Sequence, residues 1–432
     1  LCISAGPEAH LPANRRRKGQ AQMTFAKLGE PSGRLGSARV MLYSHDTFGL
    51  GHLRRSRALA QAITSADRSA SALILTGSPV AGRFDFPCHV DHFRLPGVTK
   101  LRDGSYVSKS MGMTIEETTE LRTGLIRSAI AEYEPDVLIV DKEPCGFRGE
   151  LLPALEDLQR AGHARMVLGL RDVLDEPDVL RTEWQRKNAI AATERFYDEI
   201  WIYGTRAIYD PVAGLPLSEA TRKRIHWTGY LRREVHHTID IPDERYILVT
   251  PGGGGDGQAM VDLVLSAYEK DPELQPKAKL VYGPFLSGEL RAEFEARVAA
   301  LAGRVSAVGF DSQIEALYAG AEGVVCMGGY NTFCEVLSFD KRALIVPRTV
   351  PRLEQYIRAK RAEELGLIHM LDEYRDGLTP EAMIEGIRNL PRQRTPSDAV
   401  GHAAMNDLLS GLDYVTGRVA KLLAHDREQA VQ

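Results

Sequence analysis

Three glycine-bearing turns in this chain each run from an apolar stretch into a helical pattern, and they carry most of its reactive side chains. The first is Ser44-His45-Asp46-Thr47-Phe48-Gly49-Leu50-Gly51-His52, followed by apolar residues at helical spacing over Leu53–Ile63. A helix N-terminus carries partial positive charge, which disfavours imidazolium. A His held there stays neutral and can take a proton from a hydroxyl near neutral pH. His52 is therefore the candidate general base, and its plain alternative is a His that caps the helix or packs under the loop. Arg54, Arg55 and Arg57 read as the solvent face of the same helix.

The second turn follows Tyr246–Thr250 and runs Pro251-Gly252-Gly253-Gly254-Gly255-Asp256-Gly257 into a helix ending near Lys270. Gly252, Gly254 and Gly257 satisfy G-x-G-x-x-G between a strand and a helix, where backbone N–H groups and the helix start can receive a diphosphate. A nicotinamide dinucleotide would call for an acidic residue closing the next strand, and Leu280-Val281-Tyr282-Gly283-Pro284 has none. The loop thus points to a phosphate-bearing ligand and away from a dehydrogenase, with an unliganded tight turn as the alternative. The third turn is Cys326-Met327-Gly328-Gly329-Tyr330-Asn331-Thr332-Phe333-Cys334-Glu335. Residues i and i+4 share a helix face, so Asn331 and Glu335 can address one ligand. A carboxylate accepts two hydrogen bonds side by side, which suits a ribose diol, with a solvated helix residue as the alternative for Glu335. After Leu344–Pro347, Glu354 and Gln355 open another helix, where they either reach sugar hydroxyls or cap it. The charged groups Asp141, Lys142, Glu143, Arg171 and Asp172 close strands of the first half and form either an acceptor site or solvated salt bridges.

Several chemistries lack their residues. No Asp-x-Asp pair, G-x-x-x-x-G-K-[ST], H-E-x-x-H or G-x-S-x-G occurs. Strand alternation separates His89 and Asp91 from His92, which argues against a metal there, and the reading is of no metal and no bound cofactor. Five scattered cysteines without a C-x-x-C fit a reducing cytoplasm.

These turns need strands to hold them. Short apolar runs at Arg39–Tyr43, Ala72–Leu75, His89–Phe93, Val137–Val140, Met166–Leu170 and Ile200–Tyr203 alternate with helical stretches such as Ile115–Glu132, Gly149–Arg160 and Arg181–Phe196. A second series, Tyr246–Val249, Leu280–Tyr282, Val305–Val308, Gly323–Cys326 and Ala343–Val346, repeats the pattern. This is the text of two α/β domains with parallel sheets, and a ligand belongs in the cleft where their strand ends face each other. The division reads as a disordered leader over 1–36 with Met23 a candidate start, a first domain over 37–232, a hinge over 233–245, and a second domain over 246–395. A final amphipathic segment over 396–432, helical at Ala403–Leu423, is expected to pack back across the domains. Lys and Arg number 54 against 58 Asp and Glu in 432 residues, so there is no basic excess to favour nucleic acid as a partner. No apolar run reaches the ~18–20 residues of a membrane-spanning helix, which leaves peripheral contact with a membrane open.

Gly-His after the first strand, a glycine loop opening the second domain, and Gly-Gly-x-x-Thr-x-x-Glu followed by Pro347 and Gln355 occur here in one order. Together they resemble glycosyltransferase family 28, MurG-like in pattern but as a separate, less characterised branch. The resemblance implies the GT-B fold, two Rossmann-like domains facing across a cleft, with a nucleotide sugar, commonly a UDP-sugar, on the C-terminal domain and the acceptor on the N-terminal one. It implies that Glu335 binds the ribose, Gly253, Gly254 and Gly255 the diphosphate and the loop around Phe310 the base. Gly329, Asn331 and Thr332 would join Glu335 in the donor turn, Arg233 would contact the nucleotide, and Glu354 and Gln355 the donor sugar. His52 would stand at the acceptor-activating position. The chain departs from the family pattern at Arg358, where the family has Asn, at Tyr330-Asn331, and at Ser44-His45-Asp46-Thr47, where His45 and Asp46 compete with His52 for the base role. The expected reaction is inverting, metal-independent transfer of a hexose or N-acetylhexosamine to a glycan, lipid-linked or small-molecule acceptor. Its rivals are a nucleotide-sugar hydrolase or epimerase on the same fold and a noncatalytic nucleotide-sugar-binding protein.

Overall fold

The first sheet contains β1 (Arg39–Ser44), β2 (Ser71–Thr76), β3 (Val90–Arg94), β6 (Val137–Asp141), β7 (Arg165–Arg171), β8 (Glu199–Tyr203) and β9 (Ile225–Trp227). Between β3 and β6, β4 (Val98–Lys100) and β5 (Tyr106–Ser108) form a separate antiparallel hairpin. The second sheet contains β10 (Ile247–Thr250), β11 (Ala278–Val281), β12 (Val305–Val308), β13 (Gly323–Cys326), β14 (Arg342–Ile345) and β15 (His369–Met370). The computed structural model describes residues 37–45, 50–101, 105–235, 241–253 and 255–431. The leader assigned to 1–36, Asp46, Gly254 and the centre of the hinge lie outside the described residues.

Both sheets are parallel, with orders β3-β2-β1-β6-β7-β8-β9 and β12-β11-β10-β13-β14-β15. Strands such as β6 and β13 are buried at every residue, as apolar runs covered on both faces by helices must be. In each sheet the order reverses beside the strand that opens the half, and a crevice forms there between loops that leave in opposite directions. The turn carrying His52 leaves β1 and Asp141 ends β6. The glycine loop leaves β10, and the turn to Glu335 leaves β13. All three sequence motifs therefore sit at switch points. One hydrophobic cluster, from Val40 and Leu53 through Tyr230 to Tyr330 and Phe333, is continuous through both halves.

The structure differs from the sequence reading at short or broken elements. β4, β5, β9 and β15 have two or three residues each, too few to show a period. Arg181–Phe196 is two helices, Pro177–Arg186 and Ala189–Phe196, because Asn188 takes a left-handed conformation at φ 55°. Ala403–Leu423 is likewise divided, into His402–Leu408 and Gly411–Val431. The break docks on the end of the first half: Tyr230 N donates to Leu408 O and Gly411 N to Tyr230 O. A Cβ at Gly411 would lie 2.7 Å from the Gly229 and Tyr230 oxygens, so that close approach needs a glycine. The last helix then packs along Gly51–Ala66, returning the chain to the first half.

Candidate active site

His52 is the second residue of the helix Gly51–Ala66, and its Nδ1 lies 2.6 Å from Asp141 Oδ2. Arg55 grips the same carboxylate with Nε at 2.9 Å and Nη2 at 2.6 Å. Arg55 Nη2 and His52 Nδ1 stand 3.1 Å apart because both converge on one oxygen. The arrangement is consistent with Nδ1 carrying hydrogen and donating to Asp141, which leaves Nε2 as an acceptor. Burial pushes the His52 imidazolium down to about 4, against the opposing pull of Asp141, so the ring is neutral at physiological pH. Burial alone would raise the Asp141 carboxyl, but Arg55 and His52 hold it well below the usual carboxylate range. Asp141, expected in the acceptor site, is instead bound to His52 and Arg55 and does not line the cavity that His52 borders. Arg55 is 1% exposed, and Arg57 lies over the Phe84 ring, so the arginines do not form a solvent face. His45 is buried, presents its ring edge-on to His52 at 5.7 Å, and has no hydrogen-bond partner at Nδ1. Burial pushes it down to about 3.

His52 and Arg171 from the first half line a cavity of about 220 Å³ together with Gly253, Gly255 and Phe310 of the second. Gly329, Asn331, Thr332, Glu335, Glu354 and Gln355 also line it. The helix Tyr330–Ser338 has no side-chain cap. The N–H groups of Tyr330, Asn331 and Thr332 lie in its first turn, where an α-helix supplies no acceptor. Opposite them, Gly283 at φ 85° approaches the glycine loop so closely that a Cβ there would lie 2.5 Å from Gly252 O. Phe310 meets Phe84 of the first half edge-on at 5.8 Å. Glu335 is 1% exposed, and its Oε1 lies 2.5 Å from Arg54 Nη2, which also meets Glu315 at 2.8 Å. Burial raises the Glu335 carboxyl, with Arg54 opposing. Glu354 and Gln355 are not caps. Arg348 Nη2 donates to Glu354 Oε1 at 2.6 Å, and Arg348 N donates to Gln355 Oε1 at 3.1 Å. Arg348 also stands 2.8 Å from Asp256 of the glycine loop.

Other expected site residues brace the two halves. Asp172 is 0% exposed and receives Arg358 bidentately at 2.6 and 2.7 Å, with Tyr230 OH donating at 2.8 Å. Its oxygens are committed, so it is no acceptor ligand. Arg358, which replaces the family's Asn, also donates to Gly328 O at 2.9 Å. Asn331 Oδ1 accepts from Arg233 Nη2, and its Nδ2 donates to Gly51 O, each at 3.0 Å. The amide clamps the turn bearing His52 to the turn bearing Glu335. Arg233 borders a separate, larger cavity instead of the one with His52. Lys142 lies outside the lining as well, 3.3 Å from Glu143, with burial bringing its ammonium down to about 8. The sequence reading missed Arg54, Arg55 and Arg348 as site groups. The position of Arg55, three residues after His52 on one helix face, was a usable signal.

Residues 246–408 match the glycosyltransferase family 28 C-terminal domain. A stretch of 83 residues is 32% identical to a Haemophilus influenzae protein named UDP-N-acetylglucosamine–N-acetylmuramyl-(pentapeptide) pyrophosphoryl-undecaprenol N-acetylglucosamine transferase. That match covers 19% of this chain and spans 23% of the relative's length. Among solved structures, a UDP-glucosyltransferase from Polygonum tinctorium superposes with TM-score 0.61 at 14% identity, over 90% of this chain and 99% of the other. A Listeria monocytogenes protein assigned as a UDP-N-acetylglucosamine 2-epimerase does so with TM-score 0.56 at 17% identity, over 91% and 98%. At such identities the likeness establishes the fold, which is GT-B.

Proposed function

We propose that this chain, whose residues 246–408 match the glycosyltransferase family 28 C-terminal domain, moves a hexose or N-acetylhexosamine from a nucleotide sugar to an acceptor hydroxyl with inversion. One observation carries the reading. A neutral His52, oriented by Asp141 and Arg55, lines the same cavity as the uncapped start of Tyr330–Ser338 and the glycine loop.

In this reading the donor diphosphate lies between Gly253–Gly255 and the first N–H groups of Tyr330–Ser338. Glu335 takes the ribose, Phe310 the base, and Glu354 and Gln355 the sugar hydroxyls; UDP is the expected nucleotide. The acceptor hydroxyl gives its proton to His52 Nε2 while its oxygen attacks the anomeric carbon opposite the leaving group. The bond from that carbon to the diphosphate oxygen breaks, and its electron pair stays on the diphosphate, stabilised by helix-start N–H groups and Arg348. The reading assigns no metal and no cofactor beyond the nucleotide sugar. The acceptor is a glycan, a lipid-linked or a small molecule. No helix among the described residues is long and apolar enough to cross a membrane; the reading places the chain in the cytoplasm, with any membrane contact peripheral at the inner face.

A panel of UDP-, GDP- and dTDP-sugars tests the donor site by thermal stabilisation. A ligand at 100 times its Kd adds about 2.7 kcal/mol to the apparent stability. One nucleotide sugar is expected to stabilise the protein, and Glu335→Ala to abolish the shift. Absence of any shift with every donor at about 1 mM would overturn the assignment.

A further inference from the structure

We infer that Arg171 is an anion receptor, which binds a phosphate or carboxylate group of a substrate in the cavity beside His52. The inference rests on the glycosyl-transfer reading for the cavity's identity, but on its own observation for the charge.

Arg171 ends β7, next to β6 and two residues beyond Gly169, the register partner of Asp141. It lines the cavity with His52 and Glu354. The neighbouring arginines are all matched: Arg54 to Glu335 and Glu315, Arg55 to Asp141, Arg348 to Glu354 and Asp256, and Arg358 to Asp172. The Arg171 side chain alone of this group makes no hydrogen bond and no ion pair among the described residues, and its Nε is sealed from water without a partner.

The acids within its field make no hydrogen bond or ion pair with it, although the Glu354 carboxylate draws it electrostatically. Asp172 is held bidentately by Arg358, and Glu354 gives one oxygen to Arg348. Two further cations, Arg55 and Arg358, repel it. Burial, reinforced by that repulsion, pushes its guanidinium down to about 10. A half-buried arginine with its Nε sealed and no counter-ion in contact carries a cost, which is relieved when an oxyanion enters. The planar fork then forms charge-assisted, bidentate hydrogen bonds with phosphate or carboxylate. A neutral sugar hydroxyl would not offset the charge. The same cavity is lined by Glu354, whose Oε2 has no partner and could accept from a hydroxyl of the same substrate.

The anion has two sources, the donor's diphosphate or an acidic group on the acceptor. Calorimetric titration of the full chain with UDP, uridine and inorganic pyrophosphate, on wild type and Arg171→Gln, separates them. Circular dichroism confirms that the variant folds, and Arg171→Lys, which keeps the charge without the fork, is run beside it. If the donor supplies the anion, Arg171→Gln weakens UDP by about tenfold or more and leaves uridine unchanged. If the acceptor supplies it, UDP is unaffected, and pyrophosphate binding to the UDP-saturated protein is lost. A folded Arg171→Gln that binds UDP and pyrophosphate like wild type, or a wild type that binds neither, overturns the inference. A wild type that binds pyrophosphate through Arg171 but no nucleotide leaves the anion receptor standing and sinks the donor assignment instead.

Discussion

At His52 the proposed reaction needs a base that is neutral before substrate arrives and becomes stronger once it has. Its imidazolium sits at about 4 in the free protein. A diphosphate nearby favours the charged ring and raises that value. The acid limb of kcat/KM, which reports free protein, is therefore expected near pH 4, and the limb of kcat at higher pH. A pH–rate profile with both limbs near 6.5 would contradict the buried dyad. His52→Ala is expected to lower kcat by about 10²–10⁴-fold with little change in donor KM. Asp141→Asn should also lower kcat, because an amide NH2 can donate to Nδ1 and favour the wrong tautomer, and the charge that holds Arg55 is lost. The same depressed values set acid stability. His45 and His52 are neutral when folded, so their contribution is fully present above about 6.5, where the unfolded rings are also neutral. It is lost as pH falls through about 4 to 3, since the unfolded chain takes up protons first. Chemical denaturation at pH 7 and pH 5 checks the sign, with lower stability expected at pH 5. His52 could be found from local text, because a glycine turn before a helix is a local signal. Asp141 was misassigned because its pairing with His52 needs β6 beside β1, and no residue near either one states that neighbour.

At the level of elements, two sheet switch points bring four turns together, and polar side chains fasten those turns across the cleft. The buried Arg358–Asp172 pair is one fastening. Arg358→Ala leaves Asp172 uncompensated and is expected to destabilise by about 3–5 kcal/mol in chemical denaturation. The double change Arg358→Met with Asp172→Leu should recover much of that loss, and no recovery would show that the pair sets domain geometry as well as charge balance. Arg54 is a second fastening. It reaches from the first half to the carboxylate that the donor's ribose would need. Arg54→Ala should therefore tighten nucleotide binding while lowering thermal stability without nucleotide; weaker binding would make Arg54 part of the donor site. Long strands such as β6, β7 and β13 were visible as unbroken apolar runs. The breaks at Asn188 and Ser410 were not, since the helical period continues through each and only a left-handed residue or a docked partner interrupts it.

Across the whole molecule, the repeated β-α text announced two Rossmann-like halves, and the GT-B fold follows from stacking that text twice. The relation between the halves was hidden. Asn331 with Gly51, Arg358 with Asp172 and Arg54 with Glu335 each join residues far apart in sequence, so their partners are fixed only by tertiary structure. For the same reason Asp172 and Arg54 were misread, one as a substrate ligand and the other as a surface charge. The central claim is acceptor-dependent transfer in the cavity those contacts enclose. It is tested most directly by incubating the full chain with the stabilising nucleotide sugar and a panel of hydroxyl acceptors, then identifying products by mass spectrometry and anomeric configuration by NMR. The account predicts nucleoside diphosphate released in step with a glycoside of inverted configuration, both lost in His52→Ala. Nucleotide released at the same rate without acceptor, accompanied by free or epimerised sugar, would contradict it.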